Sequence, residues 1–278
     1  MVTTISMTLQ EKLRELKKQK KAILATNFYN FETLEGVLLA AKATRQPLIL
    51  QLTRSSIEYM GLKVAMGLAQ SMLDLHQVEA WLHLDHGDTY ELAAQCLDAG
   101  FDSVMIDASE QSFVENVKIT KRVVKLAEGY GANVEAELGY VAKLGQSKDH
   151  IGFTEPSEAK RFVEETGVNA LAVAIGSAHG FYKEEPKLDL ERLSAISAAT
   201  DAALVLHGGS GIPNNTLRDA IVRGICKINL ATEIKNIFMK TLKKNLSQSE
   251  EIDLRKVFPV ATVAVSELVQ AKLKVVAE

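Results

Sequence analysis

The stretch EAWLHLDHGDTYELAAQCLDAGFDSVMIDAS, residues 79–109, contains one complete strand–helix–strand unit. Its first run, Glu79 to His86, is nearly continuous apolar sequence, as expected of a parallel strand covered on both faces. The middle, TYELAAQCLDAG, sets Leu92, Cys96 and Leu97 on one helical face, and Gly100 stands where a helix end favours glycine. A second apolar run opens at Ser103. Polar side chains stand where the strands end: Asp85 and His86 on the first, Asp107 on the second.

The same unit recurs along the chain. Strand-like runs begin at Ala22, Pro47, Glu79, Ser103, Asn133, Ala170, Ala203 and Ile225, with amphipathic helical stretches between them. In TEPSEAKRFVEETG, Thr154 is expected to cap a helix, Pro156 to sit in its first turn and Gly167 to stop it. Eight repeats predict an α/β protein, a closed (β/α)₈ TIM barrel. An extra N-terminal helix (about Leu9 to Lys20) and a C-terminal helical extension (about Pro259 to Val276) complete one domain over residues 1–278. An open doubly wound sheet would carry a glycine-rich phosphate turn after its first strand, where this chain has Asn27, Phe28 and Tyr29.

Composition agrees. A chain of 278 residues suits one barrel, and 47% hydrophobic residues are enough for a sizeable core. A net charge of -3 gives no basic field for nucleic acid, and Lys17, Lys18, Lys20 and Lys21 read as the solvated end of the first helix. No apolar run approaches the roughly 20 residues of a membrane span, and the N-terminal sequence lacks the pattern of a secretory signal. Two cysteines, Cys96 on a buried helix face and Cys226 at a strand start, fit a reduced, cytoplasmic setting.

A barrel gathers the C-terminal ends of its strands at one mouth. Asp85, His86, Asp107, Glu135, Glu137, His179, His207, Asn229 and Thr232 would therefore converge there. His86, His179 and His207 are three of only six histidines, and three imidazoles suit Zn²⁺ while leaving a position for substrate. His83 alternates with Asp85 and would face the barrel interior; His76 reads as a surface helix end. His207-Gly208-Gly209-Ser210-Gly211 follows a strand and precedes Pro213, an arrangement whose backbone N–H groups can hold an anion.

These motifs resemble the class II, metal-dependent ketose-bisphosphate aldolases, the fructose- and tagatose-bisphosphate aldolase family. The resemblance runs from about Asn27 to Lys235 and is carried by LHLDHG (Leu82 to Gly87), SVMIDAS (Ser103 to Ser109), VEAELG (Val134 to Gly139), AIGSAHGFYK (Ala174 to Lys183), LHGGSGIP (Leu206 to Pro213) and KINLATE (Lys227 to Glu233). It implies that His86, His179 and His207 hold Zn²⁺ and that Glu137 contacts the metal. It implies that Asp85 exchanges a proton with the C4 hydroxyl of a phosphorylated ketose as the C3–C4 bond breaks or forms. Gly180, Lys183, Gly208, Ser210, Asn229 and Thr232 would surround the dihydroxyacetone-phosphate half, with a monovalent cation nearby. Ala231 agrees with the tagatose-type branch, and a homodimer or homotetramer is the family's usual assembly. The chemistry is coherent. Removing a proton beside a carbonyl is costly in neutral water, a Lewis-acid metal offsets that cost, and a held phosphate fixes the geometry. No strand-end lysine is then needed for a Schiff base; Lys227 sits at the buried start of the eighth strand.

Two places depart from the family pattern. After the fifth strand the family carries a loop with an acid that serves as a base; here the sequence is YVAKLGQSKDHIGF, Tyr140 to Phe153, where Asp149 or His150 could serve instead. The family's distal-phosphate arginine near the C-terminus is matched only by Arg255. Thr53-Arg54-Ser55 follows the second strand, so Asn27, Thr53 and Arg54 are expected at the substrate's distal end. Three readings follow: a ketose-bisphosphate aldolase, an aldolase for a ketose 1-phosphate with another anionic terminus, or a metal- and sugar-phosphate-binding homologue with weak or lost activity. A metal-dependent isomerase or hydrolase is a further alternative. The apolar C-terminal segment would form an interface between copies or cap the base of the barrel.

Overall fold

The computed structural model describes residues 7–139, 141, 152–180, 182 and 186–278. Eight parallel strands close in sequence order: β1 (Ile23–Asn27), β2 (Leu48–Thr53), β3 (Ala80–Gly87), β4 (Ser103–Ile106), β5 (Asn133–Leu138), β6 (Ala170–Val173), β7 (Ala203–Leu206) and β8 (Ile225–Leu230). The barrel closes through β1 on β8, where Ile23 pairs with Lys227 and Ala25 with Asn229. Each apolar run of the sequence holds a strand. The polar residues that end several runs gather at the C-terminal ends of the strands: Asp85 and Glu137 among the last ladder pairs, opposite Thr53 and Ala172, and Asp107 and His207 just past them.

Two apolar layers result. The larger lies between strands and helices; it includes Leu38 of α2 (Phe31–Thr44), Cys96 of α5 (Tyr90–Asp98) and Phe162 of α7 (Pro156–Thr166). The smaller fills the lower barrel, where Ile23, Ile49, Trp81 and Val205 meet Leu9, Leu13 and Leu16 of α1 (Leu9–Gln19). That helix plugs the base, each buried leucine contributing roughly 1.5–3 kcal/mol. A capping box fixes its start: Thr8 Oγ1 accepts from Glu11 N–H, and Thr8 N–H donates to Glu11 Oε2 at 2.8 Å. Because α1 covers the base, the C-terminal helix α12 (Pro259–Ala277) lies along the side of the barrel instead. There Gly36 of α2 lets the two helices approach; a Cβ on it would stand 2.7 Å from Thr262 O.

Two expectations need correction. Thr154 does not cap α7, whose N-cap is Glu155. Its hydroxyl donates to Leu138 O and accepts from Ala174 N–H at 2.8 Å, tying β5 to the end of β6. His76 ends α4 (Leu62–His76) but is buried, with Nε2 2.7 Å from Glu35 Oε2 on α2. Both side chains answer to neighbours distant in sequence. Among the described residues no helix is long and apolar enough to cross a membrane.

Candidate active site

In a regular strand Asp85 and His86 would point to opposite faces. The β3–β4 register shifts between Leu84 and Gly87, and His86 takes the left-handed conformation at φ 50°. This bulge lets consecutive side chains both serve the mouth. Gly87 completes it: a Cβ there would meet Met105 O at 2.5 Å.

His86, His179 and His207 come from three different strand ends and converge. Their ring centroids are 4.9 Å (His86–His179), 4.7 Å (His86–His207) and 5.6 Å (His179–His207) apart, and their ligating nitrogens lie within 4.8 Å of one another. Hydrogen bonds assign two of the rings. His86 Nδ1 faces Asp107 Oδ2 at 2.8 Å, and His207 Nε2 faces Glu135 Oε1 at 2.8 Å. A carboxylate only accepts, so each of those nitrogens carries a proton. The remaining pair, His86 Nε2 and His207 Nδ1, face each other at 3.0 Å. Two lone pairs cannot face each other stably at that distance; a proton or a cation must lie between them.

The surrounding charge supplies what such a cation needs. Burial disfavours a charged His86, but its bond to Asp107 and the charges of Asp85 and Glu137 outweigh that, and its pKa is pushed up to about 9. Burial and the neighbouring His86 hold His207 well below the ordinary range, favouring the neutral ring that a metal binds. Glu137 is buried beside them, its carboxyl pushed up to about 8 by burial and by Asp107. Among the described residues Glu137 Oε2 has no hydrogen-bond partner, and with His86 and Asp107 it forms a second group of ligand atoms within 4.8 Å. An orphaned carboxylate oxygen beside facing imidazole nitrogens fits a divalent cation. Nitrogen and oxygen donors of this kind suit Zn²⁺.

Asp85 lies beside the histidines, held by two amides. Asn27 Nδ2 donates to Oδ2 at 3.0 Å and Asn229 Nδ2 to Oδ1 at 3.4 Å. Burial works against its charge, but His86, His207, Lys227 and the Asn27 bond outweigh burial and hold the carboxyl below its usual range. Asn27 Oδ1 and Asn229 Oδ1 are buried without hydrogen-bond partners among the described residues, so both remain as acceptors for hydroxyl groups.

A narrow crevice runs from Asp85 and His179 to Gly180, Gly208, Ser210, Asn229 and Thr232, bringing together the expected dihydroxyacetone-phosphate residues that the structure describes. A cavity of 690 Å³ opens beside it, bordered by Thr53, Ser55, Asp88, Glu137 and Lys235. Arg54 is absent from both linings. Its guanidinium grips Asp88, with Nε 2.8 Å from Oδ1 and 3.0 Å from Oδ2, and Nη2 reaches Thr89 Oγ1 at 3.1 Å. Lys183, Asp149 and His150 lie outside the described residues. His83 faces the interior as expected, bonded to Ser103.

Sequence reasoning missed Tyr182. Its hydroxyl accepts from Ala178 N–H at 2.7 Å and donates to Gly208 O at 3.0 Å, joining the two loops that carry His179 and the glycine-rich turn. Its place inside AIGSAHGFYK was the only signal. Glu233 was also missed; it accepts from Gly211 N–H and meets Lys272 of α12 at 3.5 Å.

The description "fructose-bisphosphate aldolase class-II" belongs to a family model that matches residues 7–278. The fructose-bisphosphate aldolase of Helicobacter pylori is 36% identical over 296 residues, covering 95% of both chains. That of Geobacillus stearothermophilus is 38% identical over 276 residues, covering 96% of both. The crystal structure of the YdjI aldolase from Escherichia coli K12 superposes with a TM-score of 0.87 at 33% identity, over 96% of each chain. Fold and site thus define a class II, aldolase-type barrel, a class whose members are generally metal-dependent. The chain belongs to the class-II fructose-bisphosphate aldolase family, and it is an aldolase, a lyase.

Proposed function

We propose that this protein reversibly cleaves a ketose phosphorylated at C1 into dihydroxyacetone phosphate and an aldehyde, using Zn²⁺ on His86, His179 and His207 with Glu137 beside it. The names of the relatives make fructose 1,6-bisphosphate the first substrate to examine. The observation that carries the reading is the convergence of three imidazoles next to a buried, amide-held Asp85. When bound, the cation supplies Lewis-acid stabilisation of negative charge developing at the substrate carbonyl. The other steps belong to the chain. Asp85, held ionised, takes the C4 hydroxyl proton as the C3–C4 bond breaks and returns it in the reverse direction. Asn27 and Asn229 hold that carboxylate and offer their free oxygens to substrate hydroxyls. Gly180, Gly208, Ser210 and Thr232, with Lys183, hold the phosphate away from the reacting carbons. A base from the 140–153 segment, Asp149 or His150, handles the proton on the dihydroxyacetone-phosphate carbon.

The distal end would lie in the larger cavity against Thr53 and Ser55, with Arg54 acting through Asp88, which it orients. Phe31, Val260 and Val263, exposed on α2 and α12, support assembly into a homodimer or homotetramer, and a cytoplasmic setting suits a sugar-phosphate enzyme with two buried free thiols. Coupled release of dihydroxyacetone phosphate from fructose 1,6-bisphosphate and from ketose 1-phosphates tests the reading. The wild type should release it, and Asp85→Ala should keep its metal while losing at least about a hundredfold in turnover. Undiminished turnover in Asp85→Ala would remove Asp85 from the mechanism.

A further inference from the structure

Beneath the mouth lies a buried row of charges that lines neither cavity of the site. Lys227 Nζ donates to Glu135 Oε2 at 2.7 Å and lies 3.3 Å from His83 Nε2. Glu135 Oε1 meets His207 Nε2 at 2.8 Å; His83 Nδ1 meets Ser103 Oγ at 2.7 Å, and Ser103 Oγ accepts from Asn133 Nδ2 at 2.9 Å. None of these residues is more than 1% exposed, so water does not relax their donor and acceptor roles.

The roles follow from Lys227. An ammonium group only donates. His83 can therefore be its partner only through a lone pair on Nε2, which puts the His83 proton on Nδ1, toward Ser103. Lys227 also pins Glu135 Oε2, leaving Oε1 to face His207. A carboxylate oxygen only accepts, so His207 carries its proton on Nε2 and turns a bare Nδ1 toward His86 and the mouth.

We infer that Lys227 and Glu135 are positioning residues that set the tautomer of His207, and through it the ability of the mouth to hold a divalent cation. The inference rests on the cation site proposed above, although the tautomer itself needs no cation. A buried ion pair is a costly way to gain stability compared with apolar packing. What it supplies here is direction, and outer partners of this kind change metal affinity by about 10–100-fold.

Glu135→Gln tests this with little change of shape. Lys227 attracts the amide oxygen, so the NH₂ group turns to His207 and requires a lone pair on Nε2. The ring proton then moves to Nδ1 and points into the cation site. Adding Lys227→Met removes that pull and lets the amide offer oxygen to His207 again. The experiment records long-range ¹H–¹⁵N spectra of His207 in metal-free, full-length protein, and zinc affinity by competition with a chelator. The wild type should show Nε2–H. Glu135→Gln should show Nδ1–H and lose about 10–100-fold in affinity, and the double variant should regain Nε2–H and at least about tenfold. Wild-type Nδ1–H, an unchanged Glu135→Gln, or a double variant no better than the single would each overturn the inference. The wild-type spectrum decides the matter if a variant does not fold. A wild type with Nε2–H that takes up no zinc would sink the cation reading and the affinity half of the inference, with the tautomer assignment upheld; one that takes up zinc with Nδ1–H would sink the inference alone.

Discussion

Gly208 shows how tightly single residues are held at this mouth. Its φ is +67°, and a Cβ would stand 2.3 Å from Ala178 O, a backbone atom that cannot swing away. Gly61 has a similar φ of +82° but open space around it. Comparing the two separates backbone strain from collision. Gly61→Ala should cost about 1–3 kcal/mol from strain alone. Gly208→Ala should cost clearly more in urea unfolding, and should raise KM for the phosphorylated substrate by parting the loops that Tyr182 joins. Equal costs at both sites would contradict the close packing of these loops. The residue-level signals in the sequence were uneven. Asp85, His86 and His207 could be read because ligating side chains at strand ends are chemically conspicuous. The bulge that turns both Asp85 and His86 to the mouth could not, because backbone dihedrals leave little trace in residue type. Tyr182 was hidden for a related reason: an aromatic in a loop looks like packing until its hydroxyl partners are known.

The strands and helices were far more legible than their side-chain partners. Strand-like runs and helical faces follow from local periodicity, and every run announced holds a strand. Thr154 and His76 went astray because each satisfies a partner on another element, which periodicity does not report. Cys96, on the buried face of α5, and Cys226, at the start of β8, provide an element-level prediction. Burial pushes their thiols up to about 12 and about 11, opposed weakly by the Arg54 charge at Cys96 and, at Cys226, by a Leu204 backbone bond and the Lys17 charge. Below a thiol's ordinary value both folded and unfolded chains keep the proton, so pH has no effect through these groups. Between that value and the raised one only the unfolded chain loses it, so stability falls as pH rises. Urea unfolding between pH 10 and 11 should show the wild type losing about 1.4 kcal/mol per pH unit more than Cys96→Ala. Parallel pH slopes would mean that Cys96 ionises as freely in the folded chain as in the unfolded one.

At the scale of the whole molecule, the barrel concentrates polarity at one end and apolar packing at the other. Helix α1 seals the base on Trp81 and Ile23, while Asn27, Asp85, Glu137, His207 and Asn229 stand at the opposite rim. The sequence conveyed this polarity because apolar residues start the strands and ligating residues end them. It could not convey the ionic row beneath the mouth, since Lys227 and Glu135 look like isolated charges until closure brings β8 and β5 face to face. The proposed site requires one divalent ion to replace the proton between His86 and His207. Calorimetric zinc titration of chelator-treated protein near pH 7.5, in buffers of different ionisation enthalpy, measures that exchange directly. One ion per chain, binding with release of about one proton and lost in His207→Ala, is the result predicted. No uptake, or uptake that is unchanged in His207→Ala and releases no proton, would contradict it.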